Sequence, residues 1–109
     1  MTVEFTSVAG RQWRPTDRAG VTYAVLRVHG AGEGATVLTR FAAGTAGGQH
    51  LHPGGEELYV VEGTCAVNGV QLRTGDYLYT PPGERHELVA LRDTVVLVHL
   101  PRLPIYDTP

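Results

Sequence analysis

Turn-forming residues interrupt this chain so often that no segment is long enough for an amphipathic helix. Glycine and proline, 14 and 7 among 109 residues, separate short apolar runs. The turns recur at a spacing of about 8–12 residues, the cadence of an antiparallel sandwich or barrel. The runs rich in β-branched residues fall at 3–8, 21–28, 36–42, 57–62, 64–67, 70–73, 77–80, 86–91 and 94–100. The clearest junction is Asn68-Gly69, because both residues accept the positive φ of a type I′ hairpin turn. Residues 101–109, with three prolines, are expected to be extended. The expectation is an all-β fold of one domain over residues 1–109.

A chain of this length buries a modest core, so a second subunit would help stabilise it. The net charge of −2, without a basic cluster, argues against nucleic acid as a partner. The longest apolar run, 94–100, is too short to span a bilayer. The N-terminus shows no charged segment followed by an apolar stretch. Cys65 is the sole cysteine, which excludes an internal disulfide and reads as a small core residue. Together these point to the cytoplasm, with no membrane partner.

The chemistry gathers between Gly44 and His86. Side chains two apart on a strand share a face, so His50 and His52 point the same way with Leu51 opposed. Their Cα atoms then lie about 6.5 Å apart, within reach of one metal ion. Pro53-Gly54-Gly55 bends the chain, and Glu56 returns a carboxylate from the start of the next strand. His86, beyond the hairpin, joins only if tertiary structure brings it in. Imidazoles suit iron, zinc, copper and nickel, and a carboxylate adds hardness that suits manganese and ferrous iron.

These residues resemble the cupin superfamily. Its first motif runs glycine, five residues, His-x-His, three or four residues, glutamate, six residues, glycine; here it is Gly44, His50-Leu51-His52, Glu56 and Gly63. The second is matched by Gly75, Pro81-Pro82-Gly83 and His86, with Ala90 where the motif has asparagine. A finer resemblance, to cupin domains of the ChrR type, adds Trp13-Arg14-Pro15, Gly20-Val21, Arg40-Phe41 and His52-Pro53-Gly54-Gly55-Glu56-Glu57. The resemblance implies a jelly-roll β-barrel, a homodimer, and one divalent transition metal per chain. His50, His52, Glu56 and His86 would be its ligands. Fe2+ is favoured, and Zn2+, Mn2+, Ni2+ or Cu2+ would fit the same donors. Glu57 is the alternative carboxylate, but counting back from Gly63 selects Glu56 and turns Glu57 to the other face.

Parity extends the site. Leu58 and Val60 share the face of Glu56 and would line the barrel, while Tyr59 and Val61 face away. Tyr79 is a candidate pocket hydroxyl. Arg40, if inward, would bind an anionic substrate; outward, it is a solvated charge. His99 is a pocket or structural histidine. Trp13 reads as a core or subunit contact, His29 as a loop residue and Arg85 as solvent-facing. The resemblance to cupins leans to an enzyme, a dioxygenase for a diketone, phenol or similar small organic molecule, with Glu56 as ligand or base. The alternatives are a zinc-dependent isomerase, cyclase or lyase, and a ligand-binding or sensor module.

Overall fold

The computed structural model describes residues 2–48 and 50–103 and the backbone of 105–106. Twelve strands form the described chain: β1 (Arg14–Pro15), β2 (Val21–His29), β3 (Gly34–Phe41), β4 (His50–Leu51), β5 (Glu56–Glu62), β6 (Thr64–Val67), β7 (Val70–Arg73), β8 (Tyr77–Thr80), β9 (Arg85–His86), β10 (Leu88–Ala90), β11 (Thr94–Leu100) and β12 (Ile105–Tyr106). The architecture is all-β, as expected. No helix among the described residues is long and apolar enough to cross a membrane.

Strands β1-β2-β3-β11-β5-β8 make one six-stranded sheet, and two three-stranded sheets have the orders β10-β6-β7 and β12-β4-β9. The alternation of β5 shows how the layers arise. Glu56, Leu58 and Val60 are buried while Glu57, Tyr59 and Val61 are exposed. On the central strand β11, Thr94, Val96, Val98 and Leu100 face the interior. Val96, Val98 and Leu100 meet Cys65, Val67 and Leu72 of the β6–β7 hairpin, and Leu88 and Ala90 of β10, in one core. Burial raises the pKa of the Cys65 thiol, which keeps it protonated and unreactive. The hairpin turns at Asn68-Gly69, with φ of 46° and 83°.

Three expectations change. Residues 3–8 form no strand. Side chains hold that segment instead: Thr6 Oγ1 donates to the Leu26 carbonyl at 3.2 Å, and Glu4 pairs with Arg27 at 2.9 Å. This happens where the β2–β3 register shifts between Val25 and Arg27, which breaks the regular ladder. The run 86–91 splits into β9 and β10 at Glu87, because the turn residue Asn68 takes over its backbone: Glu87 N–H donates to Asn68 Oδ1 at 3.2 Å. His29, read as a loop residue, closes β2 opposite Gly34. Of the tail, 104 and 107–109 lie outside the described residues, and Ile105–Tyr106 pairs with β4.

Gly63 ends β5 at φ 105°, and a Cβ there would run into the Asp93 carbonyl oxygen and Thr94. Both the backbone conformation and the close approach require glycine. Gly63→Ala is expected to cost about 2 kcal/mol or more of stability. Chemical denaturation of the two proteins checks this; an unchanged midpoint would contradict it.

Candidate metal centre

Two short strands and two turns build the centre. His50 on β4 and His86 on β9 are direct partners across an antiparallel pair, so their rings stand side by side. The His52 carbonyl accepts backbone N–H bonds from both Gly55, at 3.1 Å, and Gly83, at 3.0 Å. One oxygen therefore ties the Pro53-Gly54-Gly55 turn to the Pro81-Pro82-Gly83 turn. Gly55 sits at φ 79°, and a Cβ there would lie 2.9 Å from the Thr80 carbonyl. That turn delivers Glu56 to the head of β5, opposite Thr80 of β8.

His50, His52, Glu56 and His86 are all buried, and one donor atom of each lies within 4.8 Å of every other. His52 Nε2 is 2.8 Å from His86 Nε2, and His86 Nε2 is 3.1 Å from His50 Nε2. His52 Nε2 is 3.0 Å from Glu56 Oε2. The second carboxylate oxygen, Oε1, stands 3.5 Å from His86 Nε2, too long for a good hydrogen bond, and has no partner.

Tautomers follow from the outer contacts. The Gly48 carbonyl can only accept, so His50 Nδ1–H donates to it at 2.7 Å, leaving a lone pair on Nε2. His86 Nδ1 meets Thr80 Oγ1 at 3.0 Å. Donation from Nδ1 to this hydroxyl likewise turns a bare Nε2 inward. Burial lowers the pKa of His50 and pushes that of His86 down to about 4, against the attraction of Glu56. Protons are thus a poor counterion for this cluster. Lone pairs 3.1 Å apart and a carboxylate oxygen without a hydrogen-bond partner, all on buried side chains, fit a divalent cation at their centre.

The remaining candidates divide by sheet face. Leu58 and Val60 lie on the buried side with Glu56. Glu57 faces outward, where its Oε1 accepts a 2.8 Å bond from Tyr77 Oη. Tyr79 opposes Glu57 in register and is 53% exposed, so its hydroxyl is outside the pocket. Arg40 is exposed and stacks on the Trp13 ring at 3.9 Å, which removes it as an inward anion-binding group. His99 is exposed and contacts Thr36 at 3.3 Å. Arg85 is exposed as expected. Thr80 is the site residue that the sequence reading missed: of the hydroxyls on β8 it singled out Tyr79, whereas the pairing with Glu56 turns Thr80 in.

Comparison with known proteins gives the same architecture. The family described as the ChrR cupin-like domain matches residues 2–103. An RmlC-like cupin from Ralstonia eutropha superimposes with a TM-score of 0.88 at 16% identity, over 99% of this chain and 74% of that one. ChrR from Rhodobacter sphaeroides, solved with SigE, gives 0.75 at 26% identity over 86% of this chain; the match spans 51% of that chain, about half its length. An acetylacetone dioxygenase from Acinetobacter johnsonii gives 0.77 at 16% identity, over 92% and 73% of the two chains. No protein of curated function matches the chain.

Two predictions follow from the hydrogen bonds and burial. Thr80→Val removes the partner of His86 Nδ1 and is expected to weaken metal binding about 10–100-fold, while Thr80→Ser preserves it; competition with a chelator measures both. Equal loss in the two variants would contradict the hydrogen-bonding role. Second, the folded protein keeps His86 neutral down to about pH 4, whereas an unperturbed histidine takes up a proton near 6.5. Below 6.5 the unfolded chain binds the extra proton, so stability falls with pH between 6.5 and about 4 and is level above that window. Thermal melts of chelator-treated protein test this, and a pH-independent Tm through the window would overturn it.

Proposed function

The chain belongs to the ChrR cupin-like family, and from that premise we propose that it is a metal-dependent enzyme, a dioxygenase acting on a small diketone, phenol or similar enolisable molecule. The donor spacing carries this reading. With metal–ligand bonds of about 2.1 Å, adjacent corners of an octahedron lie about 3.0 Å apart and those of a tetrahedron about 3.4 Å. The contacts of 2.8, 3.0 and 3.1 Å are near octahedral edges, whereas the 3.5 Å from Glu56 Oε1 to His86 Nε2 is near a tetrahedral one, so the open geometry fits with Oε2 as the ligand oxygen. Four protein ligands on an octahedron leave two positions for substrate oxygen atoms or dioxygen. A closed tetrahedral zinc site, as a purely structural role requires, leaves none.

A divalent ion held by His50, His52, Glu56 and His86 would supply Lewis acidity and, as iron, electrons for dioxygen. The chain's own residues do the rest. Glu56 Oε1, unpartnered and buried, is placed to take the substrate's acidic proton, and the resulting enolate or phenolate charge faces the cation site. Leu58 and Val60 beneath it exclude water. All nine basic residues are arginine, and none is among the buried polar or charged side chains. An interior without a fixed cation suits a neutral substrate that gains one negative charge on binding, and disfavours a carboxylate or phosphate.

We also propose that the chain forms a homodimer. Tyr59, Tyr77 and Tyr79 leave a broad aromatic surface on the outside of β5 and β8, at the edge of the large sheet. Light scattering should return twice the chain mass, and a monomer would remove this expectation.

The function is tested by metal content and by oxygen uptake after ferrous loading, with a β-diketone and a phenol panel. One equivalent of metal with substrate-dependent oxygen consumption is expected, with turnover impaired in Glu56→Gln while much of the metal is kept. Firmly held zinc without oxygen uptake would replace this reading with a non-oxidative isomerase, cyclase or lyase. Full activity in Glu56→Gln would remove Glu56 from the chemistry.

A further inference from the structure

A second pair of histidines lies on the other face of the large sheet. His29 ends β2, His99 is the penultimate residue of β11, and β3 runs between them. Thr36 of β3 is the register partner of His99. Both rings aim at its hydroxyl: His29 Nε2 lies 2.8 Å and His99 Nδ1 3.3 Å from Thr36 Oγ1. The ring centroids are 4.6 Å apart, with planes inclined by 34°. A threonine hydroxyl carries one proton, so it can donate to only one of the two imidazoles at a time.

We infer that His29 and His99 form a second binding site for an imidazole-preferring divalent ion of the zinc, nickel and copper class. Two nitrogens that converge on one oxygen atom from adjacent rings need shifts of only about 1 Å to bind one ion at about 2.1 Å. His99 is exposed and His29 half-buried at a strand end, so both rings have room to make that shift. Thr36 Oγ1 and water complete the shell. The surroundings suit a cation. Glu57 is the cross-strand neighbour of His99 on the same face. Its carboxylate accepts a hydrogen bond from Tyr77 Oη at 2.8 Å and is not among the ligands. Arg27, which also opposes Thr36, is paired to Glu4 at 2.9 Å, so its charge is offset. Two imidazoles with few oxygen ligands select against magnesium and calcium.

This site stands apart from the buried centre. Val98 and Leu100, on either side of His99, point into the core while His99 points out. An ion here bridges β2 to β11 across β3. It binds only the folded chain, so it raises thermal stability by mass action.

Zinc titration of the full chain tests the assignment. The wild type is expected to bind zinc in two classes, the weaker of which disappears in both His29→Gln and His99→Gln, with the stronger unchanged. The weaker class should persist in His52→Ala. Should that variant not fold, wild type with its central site preloaded gives the same readout. Nickel should selectively broaden the imidazole resonances of His29 and His99 in the preloaded protein. A single class of zinc site in the wild type at millimolar zinc, or a weaker class that survives in the His29→Gln/His99→Gln double variant, would overturn the proposal.

Discussion

The crowding of the buried His50, His52, Glu56 and His86 is the constraint around which the rest is arranged. Three imidazole nitrogens and a carboxylate, with contacts of 2.8, 3.0 and 3.1 Å among them, are unfavourable without positive charge between them. Protons are a poor source of it, since burial disfavours charging His50 and His86. The fold therefore has to hold these groups against their tendency to separate. It does so with backbone: a direct β4–β9 pair for His50 and His86, and one carbonyl, that of His52, which locks two turns together.

The two faces of the large sheet divide the chemistry. Inward positions of β5 and β11 are aliphatic except at the two strand starts, Glu56 and Thr94, and Glu56 is the one charged group among their buried side chains. Outward positions on the same strands carry Glu57, Tyr59 and His99, with Tyr77 and Tyr79 on β8. A slip of one residue in β5 would exchange Glu56 for Glu57 on the inner face, and a slip of one residue in β8 would exchange Thr80 for Tyr79. The hydrogen bond from Tyr77 to Glu57 belongs to the observed register and so helps keep the outer carboxylate outside.

Much of this was legible in the residues. Strand parity and turn chemistry are local, so they put His50, His52 and Glu56 within reach of one another, whereas His86, beyond the hairpin, joined the cluster only through the resemblance to cupins. The Asn68-Gly69 hairpin was legible for the same reason. What parity could not supply was pairing across strands. Tyr79 looked like the pocket hydroxyl of β8, but only the Glu56–Thr80 register decides which hydroxyl faces inward. Arg40 has no local signal for its stacking on Trp13, which comes from distant sequence. The N-terminal run 3–8 alternates like a strand, yet its side chains Glu4 and Thr6, rather than its backbone, attach it to β2. The His29–Thr36–His99 contact likewise joins three strands and could not be read from any one.

The most direct test of the central account is X-ray absorption spectroscopy of the chain loaded with one equivalent of ferrous iron. Five or six light-atom neighbours that include three imidazoles are expected, as three histidines and a glutamate on an octahedron with open positions require. A four-coordinate ion, or one bound by fewer than three imidazoles, would contradict the assignment of His50, His52, Glu56 and His86 as a single open metal centre.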